Sequence, residues 1–369
     1  MNQYVDFDTH VYEPIEVFHD YLDPKFRDRA PKLFKGADGR LMLQMAEHVY
    51  PKVPAHPGFY NIYGEESKVD RSGNDPHARL KRMDGEGTDV HVIFPTLGMM
   101  GFANAVGDPE LALAQARAYN RYMGEFCSVD RRRLRGAMLV PSNHPEVAAA
   151  EIRRAHKEDK LSVLYLNPTP PDDIPWCDAS RAPIWRAAED LNITVVFHES
   201  TPGAAAHTMG IHRYQGRWPL IYLATHVVEA MFAYADIILG GVLERHPKLR
   251  VGSAEAHIHW LPGWLAMMDQ QFSVASNIHG KKGGEEALSL KPSEYFRRQC
   301  FVAAFPKDNM IREAYDSAPE SITVCTDYPH PVASVYGIAN GLPGVAQNPT
   351  LTPKIAQQIL VDNAKRFLA

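Results

Sequence analysis

The stretch APIWRAAEDLNITVVFH (182–198) contains both kinds of element that recur along this chain. In residues 182–191 the apolar side chains return at the period of a helix, and residues 193–198 form the short β-branched run typical of a buried strand. The same alternation of short apolar runs and longer helical patterns continues through the 369 residues. Strands that alternate with helices indicate parallel pairing through right-handed crossovers.

Eight runs have the composition of strands, and eight such units predict one closed (β/α)8 TIM barrel of the α/β class rather than an open sheet. No G-x-G-x-x-G follows the first strand and no G-x-x-x-x-G-K-[ST] occurs, so nucleotide-binding folds are disfavoured. We expect a single domain over residues 1–369. The predicted strands are 3–8, 89–94, 134–140, 161–167, 193–198, 249–254, 300–304 and 322–327, and the clearest helical patterns are 110–129, 182–191, 221–245 and 353–368.

One stretch, residues 14–75, interrupts the alternation between the first strand and the first helix. It is rich in proline, glycine, tyrosine and charge. We interpret it as a long insertion after the first strand, folded over one end of the barrel as a lid or a dimer contact, because structureless loops of this length are uncommon. Residues 200–218 form a second long loop on the same face.

Composition excludes several classes of protein. The balance of 39 basic against 44 acidic residues gives a net charge of −5, which argues against nucleic-acid binding. No run of about 18 apolar residues occurs, so we expect no membrane span. The four cysteines are scattered without a C-x-x-C pair, and residues 1–6 lack the pattern of a signal peptide. These features predict a cytoplasmic protein.

Metal-ligand residue types stand at three predicted strand ends. The first strand ends in Asp8 and His10, which share one face because strand side chains alternate. The fifth ends in His198, and the eighth ends in Asp327, with His330 three residues later. Active sites of such barrels lie at the carboxyl ends of the strands. Imidazole and carboxylate ligands together suit Zn²⁺, Mn²⁺ or Fe²⁺ better than Ca²⁺.

Six segments, spread in order over nearly the whole chain, carry a family resemblance. They are VDFDTHVYEP (5–14), RMDGEGTDVHVIFPT (82–96), VVFHES (195–200), GGVLERHPKLRV (240–251), CTDYPHP (325–331) and ILVDNAKRFL (359–368). With them the chain resembles the amidohydrolase-related family of metal-dependent barrels, the group that includes aminocarboxymuconate semialdehyde decarboxylase.

The resemblance implies one divalent metal ion, Zn²⁺ or Mn²⁺, held by Asp8, His10, His198 and Asp327. Asp327 would also be a catalytic acid or base. Asp8 departs from the family pattern, in which many relatives have His or Glu. A carboxylate there adds negative charge and favours a harder ion such as Mn²⁺.

The sixth strand departs further from the decarboxylases, which have a sequence similar to A-H-G-G with a catalytic histidine. This chain has SAEAHIHWLP at 253–262, and Glu255 falls at or next to the histidine position. If Glu255 points inward and the strand continues, period 2 would turn His257 inward too. Both are candidate catalytic residues.

Four further residues are candidate substrate contacts. Arg213 and Arg217, in the loop after the fifth strand, could pair with a substrate carboxylate. His226 lies on a helical pattern with apolar neighbours, where a core histidine is the competing interpretation. His330 follows Asp327 closely enough to reach the same site.

Function remains divided between two reactions. We expect a hydrolase in which metal-activated water attacks a small carbonyl- or carboxylate-bearing substrate, since the usual strand-six acid of the decarboxylases is not clearly in place. The alternative is non-oxidative decarboxylation of an aromatic or unsaturated carboxylic acid. A catalytically inactive binding barrel is a second alternative, which the intact ligand set disfavours. The resemblance and the symmetry of most oligomers predict a homodimer that takes a small-molecule substrate.

Overall fold

The fold is a barrel of eight parallel strands with helices around it. A computed structural model describes residues 4–37, 39, 41–45, 48–50, 71–100, 107–199, 213–214, 217–279, 288–330 and 342–368. The strands, in chain order, are β1 (Tyr4–His10), β2 (Lys32–Lys35), β3 (Leu41–Met45), β4 (His48–Tyr50), β5 (Thr88–Phe94), β6 (Leu134–Met138), β7 (Val163–Leu166), β8 (Thr194–His198), β9 (Arg250–Ala254), β10 (Cys300–Ala304) and β11 (Ile322–Val324).

The barrel strands pair in the order β1-β5-β6-β7-β8-β9-β10-β11. The two ends of this sheet meet just beyond β11, where Thr9 forms a parallel bridge with Tyr328. There the Asp327 N–H donates to the Asp8 carbonyl at 2.9 Å. The predicted TIM barrel is therefore confirmed, and each of the eight predicted strands overlaps an observed one.

The described part of residues 14–75 contains a small antiparallel sheet, in the order β2-β3-β4. Lys32 pairs with Gln44 and Leu43 pairs with Tyr50. Sequence analysis did not predict these strands, because they are short and β2 is largely exposed, without a clear alternation of apolar and polar residues. The role of the insertion as a lid or dimer contact stays a prediction.

Helices follow the barrel strands, and the helical patterns 110–129 and 353–368 each begin just after a capping residue. The Asp108 carboxylate accepts from the Glu110 and Leu111 N–H groups, and the Thr352 hydroxyl accepts from Ile355 N–H, as N-caps do. The α-helices are Val17–Asp20, Pro76–Glu86, Pro109–Phe126, Pro145–Arg154, Ala182–Asp190, Trp218–Tyr222, Glu229–Leu239, Val242–Arg245, Leu261–His279, Pro292–Gln299, Ile311–Ser317, Pro343–Ala346, Pro353–Gln357 and Asn363–Leu368, and π-helical segments span Ala155–Asp159, Leu223–Val228 and Gln358–Asp362.

The core lies inside the barrel and between the barrel and its helices. Strands β7, β8 and β10 are buried along their whole length, as expected of parallel strands covered on both faces. Within β9, Gly252 leaves room for the Phe301 ring, since a Cβ there would come within 2.1 Å of it. Close packing of this kind holds the strand ends, and the side chains on them, in fixed positions.

One helical stretch, Pro219–Leu239, is long and apolar enough to cross a membrane by length and composition alone. This criterion takes no account of burial, and the expectation of no membrane span stays a prediction. However, 56% of its apolar window is buried within the fold, because the stretch packs on the barrel after β8. A buried core helix passes the same test, so this feature is weak support for a membrane span.

Candidate active site

Four predicted ligands meet at the carboxyl ends of the barrel strands, and all are fully buried. The His10 Nε2 atom lies 3.2 Å from Asp8 Oδ1 and 3.1 Å from Asp327 Oδ1. The His198 Nε2 atom lies 3.3 Å from Asp8 Oδ2. Asp8 and His10 face the same point because they are two residues apart on β1, as the alternation of strand side chains predicts.

The polar atoms at this point fit a divalent ion. Both carboxylate oxygens of Asp8 and of Asp327, and the Nε2 atoms of His10 and His198, are buried without a hydrogen-bond partner. Ligand atoms of Asp8, His10 and His198 lie within 4.8 Å of one another. Unpaired buried polar atoms are costly, and coordination of one cation would satisfy all of them.

The Nδ1 atoms of His10 and His198 each contact a backbone carbonyl oxygen. His10 Nδ1 lies 2.8 Å from the Pro95 carbonyl, and His198 Nδ1 lies 2.8 Å from the Glu199 carbonyl. A carbonyl oxygen only accepts, so each Nδ1 carries the proton and donates it. Each Nε2 is then directed at the centre, which is the usual arrangement of metal-binding histidines.

The electrostatics agree with a cation site. Burial opposes a charge on His10, but the close contacts with the Asp327 and Asp8 carboxylates outweigh it and raise the pKa of His10 to about 10. Burial likewise opposes a charge on His198, and Asp8 nevertheless raises the pKa of His198. The two carboxylates thus favour a positive charge at this point. A divalent ion would supply that charge.

The position of Asp327 depends on its backbone conformation and on its contact with His330. Its backbone has a φ of 60°, in the left-handed region that residues other than glycine seldom adopt. His330 Nδ1 lies 2.9 Å from Asp327 Oδ1, and His330 Nε2 lies 3.0 Å from Thr96 Oγ1. The His330 ring also stacks on His10 at 3.9 Å. His330 therefore lies against Asp327 and His10, and its role as a substrate contact stays a prediction.

Glu255 lies beside the ligands, just beyond β9. Its Oε2 atom is 3.9 Å from His198 Nε2 and 3.4 Å from His226 Nε2, and the Tyr222 hydroxyl donates to its Oε1 at 3.4 Å. His226 Nδ1 lies 3.6 Å from a Glu199 oxygen. Burial disfavours a charge on His226, but Glu255 and Glu199 raise its pKa to about 9. These contacts place His226 and Glu255 together, directly beside the four predicted ligands.

His257 does not follow Glu255 inward through period 2. Strand β9 ends at Ala254, and Glu255 and His257 have φ values of 55° and 52°. The alternation of strand side chains therefore stops before it reaches His257. Instead His257 Nδ1 lies 2.9 Å from Asp308 Oδ1.

The two predicted arginines have no described place in the centre. Arg213 and Arg217 are both exposed. Most of the predicted loop around them, residues 200–212 and 215–216, lies outside the described part of the chain. Their role as substrate contacts stays a prediction.

Sequence analysis missed four residues that shape this site. Glu199 and Tyr222 could have been found as neighbours, since Glu199 follows His198 and Tyr222 precedes His226 by one helical turn. Glu13, whose carboxylate accepts from the Thr96 N–H, and Asp308 had no local signal, because each acts on a segment distant in sequence.

A TIM barrel with a buried carboxylate and imidazole cluster at the carboxyl ends of its strands defines a class of metal-dependent barrel enzymes. Within this class, the chain belongs to the amidohydrolase family, which it matches over residues 5–369. The family resemblance predicted from the sequence motifs is thereby confirmed.

Three individual proteins illustrate what the chain is similar to. A 2-amino-3-carboxymuconate-6-semialdehyde decarboxylase of Dictyostelium discoideum is 22% identical over 269 residues, which cover 73% of this chain and 70% of that protein. The structure of an amidohydrolase from Mycobacterium avium subsp. paratuberculosis K-10 superimposes with a TM-score of 0.79 at 20% identity, covering 100% of this chain and 99% of that one. A 5-carboxyvanillate decarboxylase from Novosphingobium aromaticivorans, complexed with manganese and 4-hydroxy-3-methoxy-5-nitrobenzoic acid, gives 0.69 at 16% identity, with coverage of 99% and 96%.

Proposed function

We propose that this protein is a divalent-metal-dependent decarboxylase of a small aromatic or unsaturated carboxylic acid. The observation that carries the proposal is the set of unpaired buried atoms on Asp8, His10, His198 and Asp327. Such a centre suits a substrate that binds through a carboxylate and a neighbouring hydroxyl. The similarity to proteins named as decarboxylases supports this reaction over hydrolysis.

Manganese is the ion that we propose for the centre, with zinc as the alternative. Two carboxylates and two imidazoles form a donor set with more oxygen than a zinc site of three histidines has. Asp8 supplies the additional oxygen. The manganese in the similar 5-carboxyvanillate decarboxylase supports the same choice.

In this mechanism, the ion would supply positive charge that holds and orients the substrate carboxylate. Asp327 would take up a proton from solvent and deliver it to the ring or alkene carbon that carries this carboxylate. The carbon–carbon bond then breaks, its electron pair returns to the ring or alkene, and CO₂ leaves. His330 Nδ1 lies 2.9 Å from Asp327 Oδ1, so we assign the proton transfer to Oδ2, the oxygen farther from this imidazole.

Glu255, His257 and His226 are the groups that we propose around the substrate. Glu255 stands between His198 and His226, where it can accept from a substrate hydroxyl. Arg213 and Arg217 are proposed to pair with a second anionic group of the substrate. The segment 14–75 is proposed to cover the site, within a single-domain chain that forms a C₂ homodimer in the cytoplasm.

Hydrolysis, the reaction that sequence analysis preferred, has less support than its alternative. That preference rested on the missing strand-six histidine, and the position beside the centre is filled by Glu255 with His226 next to it. A carboxylate and an imidazole supply the proton-transfer groups whose absence weighed against decarboxylation. The intact ligand set also argues against an inactive binding barrel.

The test is a CO₂ assay on the manganese-loaded protein. A panel of hydroxybenzoates and unsaturated dicarboxylates is incubated, CO₂ is trapped, and the decarboxylated product is quantified. We expect one CO₂ per product and no release by His198→Ala. A parallel panel of lactones and amides tests hydrolysis. Turnover of this second panel with no CO₂ from the first would refute the proposal.

A further inference from the structure

Asp308 and His257 form a hydrogen-bonded pair beside the centre. Asp308 follows β10 and is 4% exposed. Its Oδ1 lies 2.9 Å from His257 Nδ1, and its Oδ2 accepts from the Phe305 N–H at 3.1 Å. The Asp308 N–H in turn donates to the Phe305 carbonyl at 3.0 Å. An ionised carboxylate can only accept, so this geometry requires the proton on Nδ1 of His257.

A hydrogen bond accounts for this cluster better than a second metal ion does. His257, His259 and Asp308 are close enough to share an ion. At the main centre, the buried polar atoms that face one another have no hydrogen-bond partner. Within the described part of the chain, His257, His259 and Asp308 have no buried side-chain atom of this kind. His259 is half-exposed, and its Nδ1 lies 4.0 Å from Asp308 Oδ1. A proton on His257 Nδ1, donated to Asp308, is sufficient to account for the contact between these two side chains.

His257 borders the groups around Glu255. Its ring meets the Tyr222 ring edge-on at 5.9 Å, and the Tyr222 hydroxyl donates to Glu255. On another side the ring lies 5.1 Å from the Phe305 ring. The side chain is 13% exposed, so it stands at the edge of the site rather than in the core. A φ of 52° at His257 is an unfavourable conformation that the surroundings must stabilise.

We propose that Asp308 is a positioning residue for His257. It keeps the proton on Nδ1 and fixes the plane of the imidazole. The ring is thereby held where it borders Tyr222, beside the space in which substrate would contact Glu255. The part that concerns substrate rests on the proposed decarboxylase function. The part that concerns the proton and the ring orientation does not, since it follows from the carboxylate contacts alone.

The test uses Asp308→Asn in the full chain. If the asparagine oxygen keeps the Phe305 N–H, its NH₂ group faces Nδ1 of His257, and two donors cannot pair. Nδ1 must then lose its proton, which moves to Nε2. Nitrogen NMR of histidine-labelled protein, with the His257 signals assigned from His257→Gln, reads this tautomer without substrate. Asp316→Asn, a change of an exposed carboxylate on the helix Ile311–Ser317 that follows Asp308, is the control and should leave the tautomer unchanged.

Activity provides the second readout. We expect kcat of Asp308→Asn to fall about 10-fold to 100-fold, the range found when the group that orients a functional histidine is removed. His257→Gln should lose a similar factor while keeping a donor for Asp308, so it covers the case in which Asp308→Asn fails to fold. An unchanged tautomer in Asp308→Asn, or wild-type kcat and KM in His257→Gln, would overturn the proposal.

The outcomes distinguish the decarboxylase function, the positioning role of Asp308 and a second metal site from one another. A wild-type protein that releases no CO₂ refutes the decarboxylase function, yet the tautomer still tests the role of Asp308. Manganese titration distinguishes a second ion site: two ions per wild-type chain and one per Asp308→Asn chain would overturn the positioning role. One ion in both, together with the tautomer change, supports it.

Discussion

Replacing Glu13 by alanine should weaken both the fold and the metal centre. The fully buried Glu13 carboxylate accepts from the backbone N–H groups of Thr96, Leu97 and Gly98, at distances of 3.0–3.1 Å. The same loop supplies the Pro95 carbonyl that anchors His10. One side chain therefore supports the strand-end geometry of a metal ligand.

The magnitude follows from the donors that lose their acceptor. A hydrogen bond to a charged group contributes about 1.5–3 kcal/mol, so three N–H donors set an upper bound of about 5–9 kcal/mol. Water entry and local relaxation will recover part of this free energy. We expect a loss of about 3–5 kcal/mol in the free energy of unfolding for Glu13→Ala. Glu13→Gln keeps one acceptor oxygen and should lose about half as much.

Equilibrium urea unfolding followed by circular dichroism measures this loss, and isothermal titration with Mn²⁺ measures the effect on the centre. Metal affinity should fall about 10-fold to 100-fold in Glu13→Ala, as for other changes behind a ligand. Glu16→Gln, an exposed change in the same segment, is the matched control. If Glu13→Ala unfolds within about 0.5 kcal/mol of this control, the carboxylate does not hold the loop.

Three further outcomes test the centre and the packing. His198→Ala and Asp8→Asn should each reduce bound metal from one ion per chain to a small fraction by elemental analysis; full occupancy in either variant would refute the ligand set. Removing the ion with a chelator should lower the free energy of unfolding by about 2.7 kcal/mol at an ion concentration 100 times Kd, and equal melting temperatures with and without ion would contradict this. Gly252→Ala should lower the free energy of unfolding by about 1–3 kcal/mol or more, because its Cβ would meet the Phe301 ring at 2.1 Å. The control Gly263→Ala, whose Cβ has nothing within 4 Å, should be neutral or stabilising. Equal melting temperatures of the two variants would show that the strand moves to accommodate the new Cβ.

The barrel could be predicted because its signals are local. A run such as ITVVF at 193–197 is rich in β-branched and apolar side chains, and a helix start such as Asp108 bonds groups two and three residues away. The same is true of Asp8 and His10, which one strand places side by side. The antiparallel sheet of β2, β3 and β4 has weaker local signals, and sequence analysis treated it only as an insertion.

The condition under which His257 would turn inward with Glu255 is not met, for a different reason. Period 2 relates Glu255 to His257 only while the strand lasts, and β9 ends at Ala254. Where a strand ends depends on the neighbours that pair with it. The partner of His257 is also remote, since Asp308 is 51 residues away in the chain.

Residue order therefore determined the elements, their alternation and the ligands at strand ends, because each depends on side chains a few positions apart. Folding decided which of those side chains meet. Asp8 and Asp327 are 3.1–3.2 Å from the same His10 nitrogen because the barrel closes between Thr9 and Tyr328. The directions of Glu255 and His257 depend on left-handed backbone conformations that long-range contacts stabilise. Contacts across hundreds of residues leave no periodic trace in the sequence, and those contacts make the site.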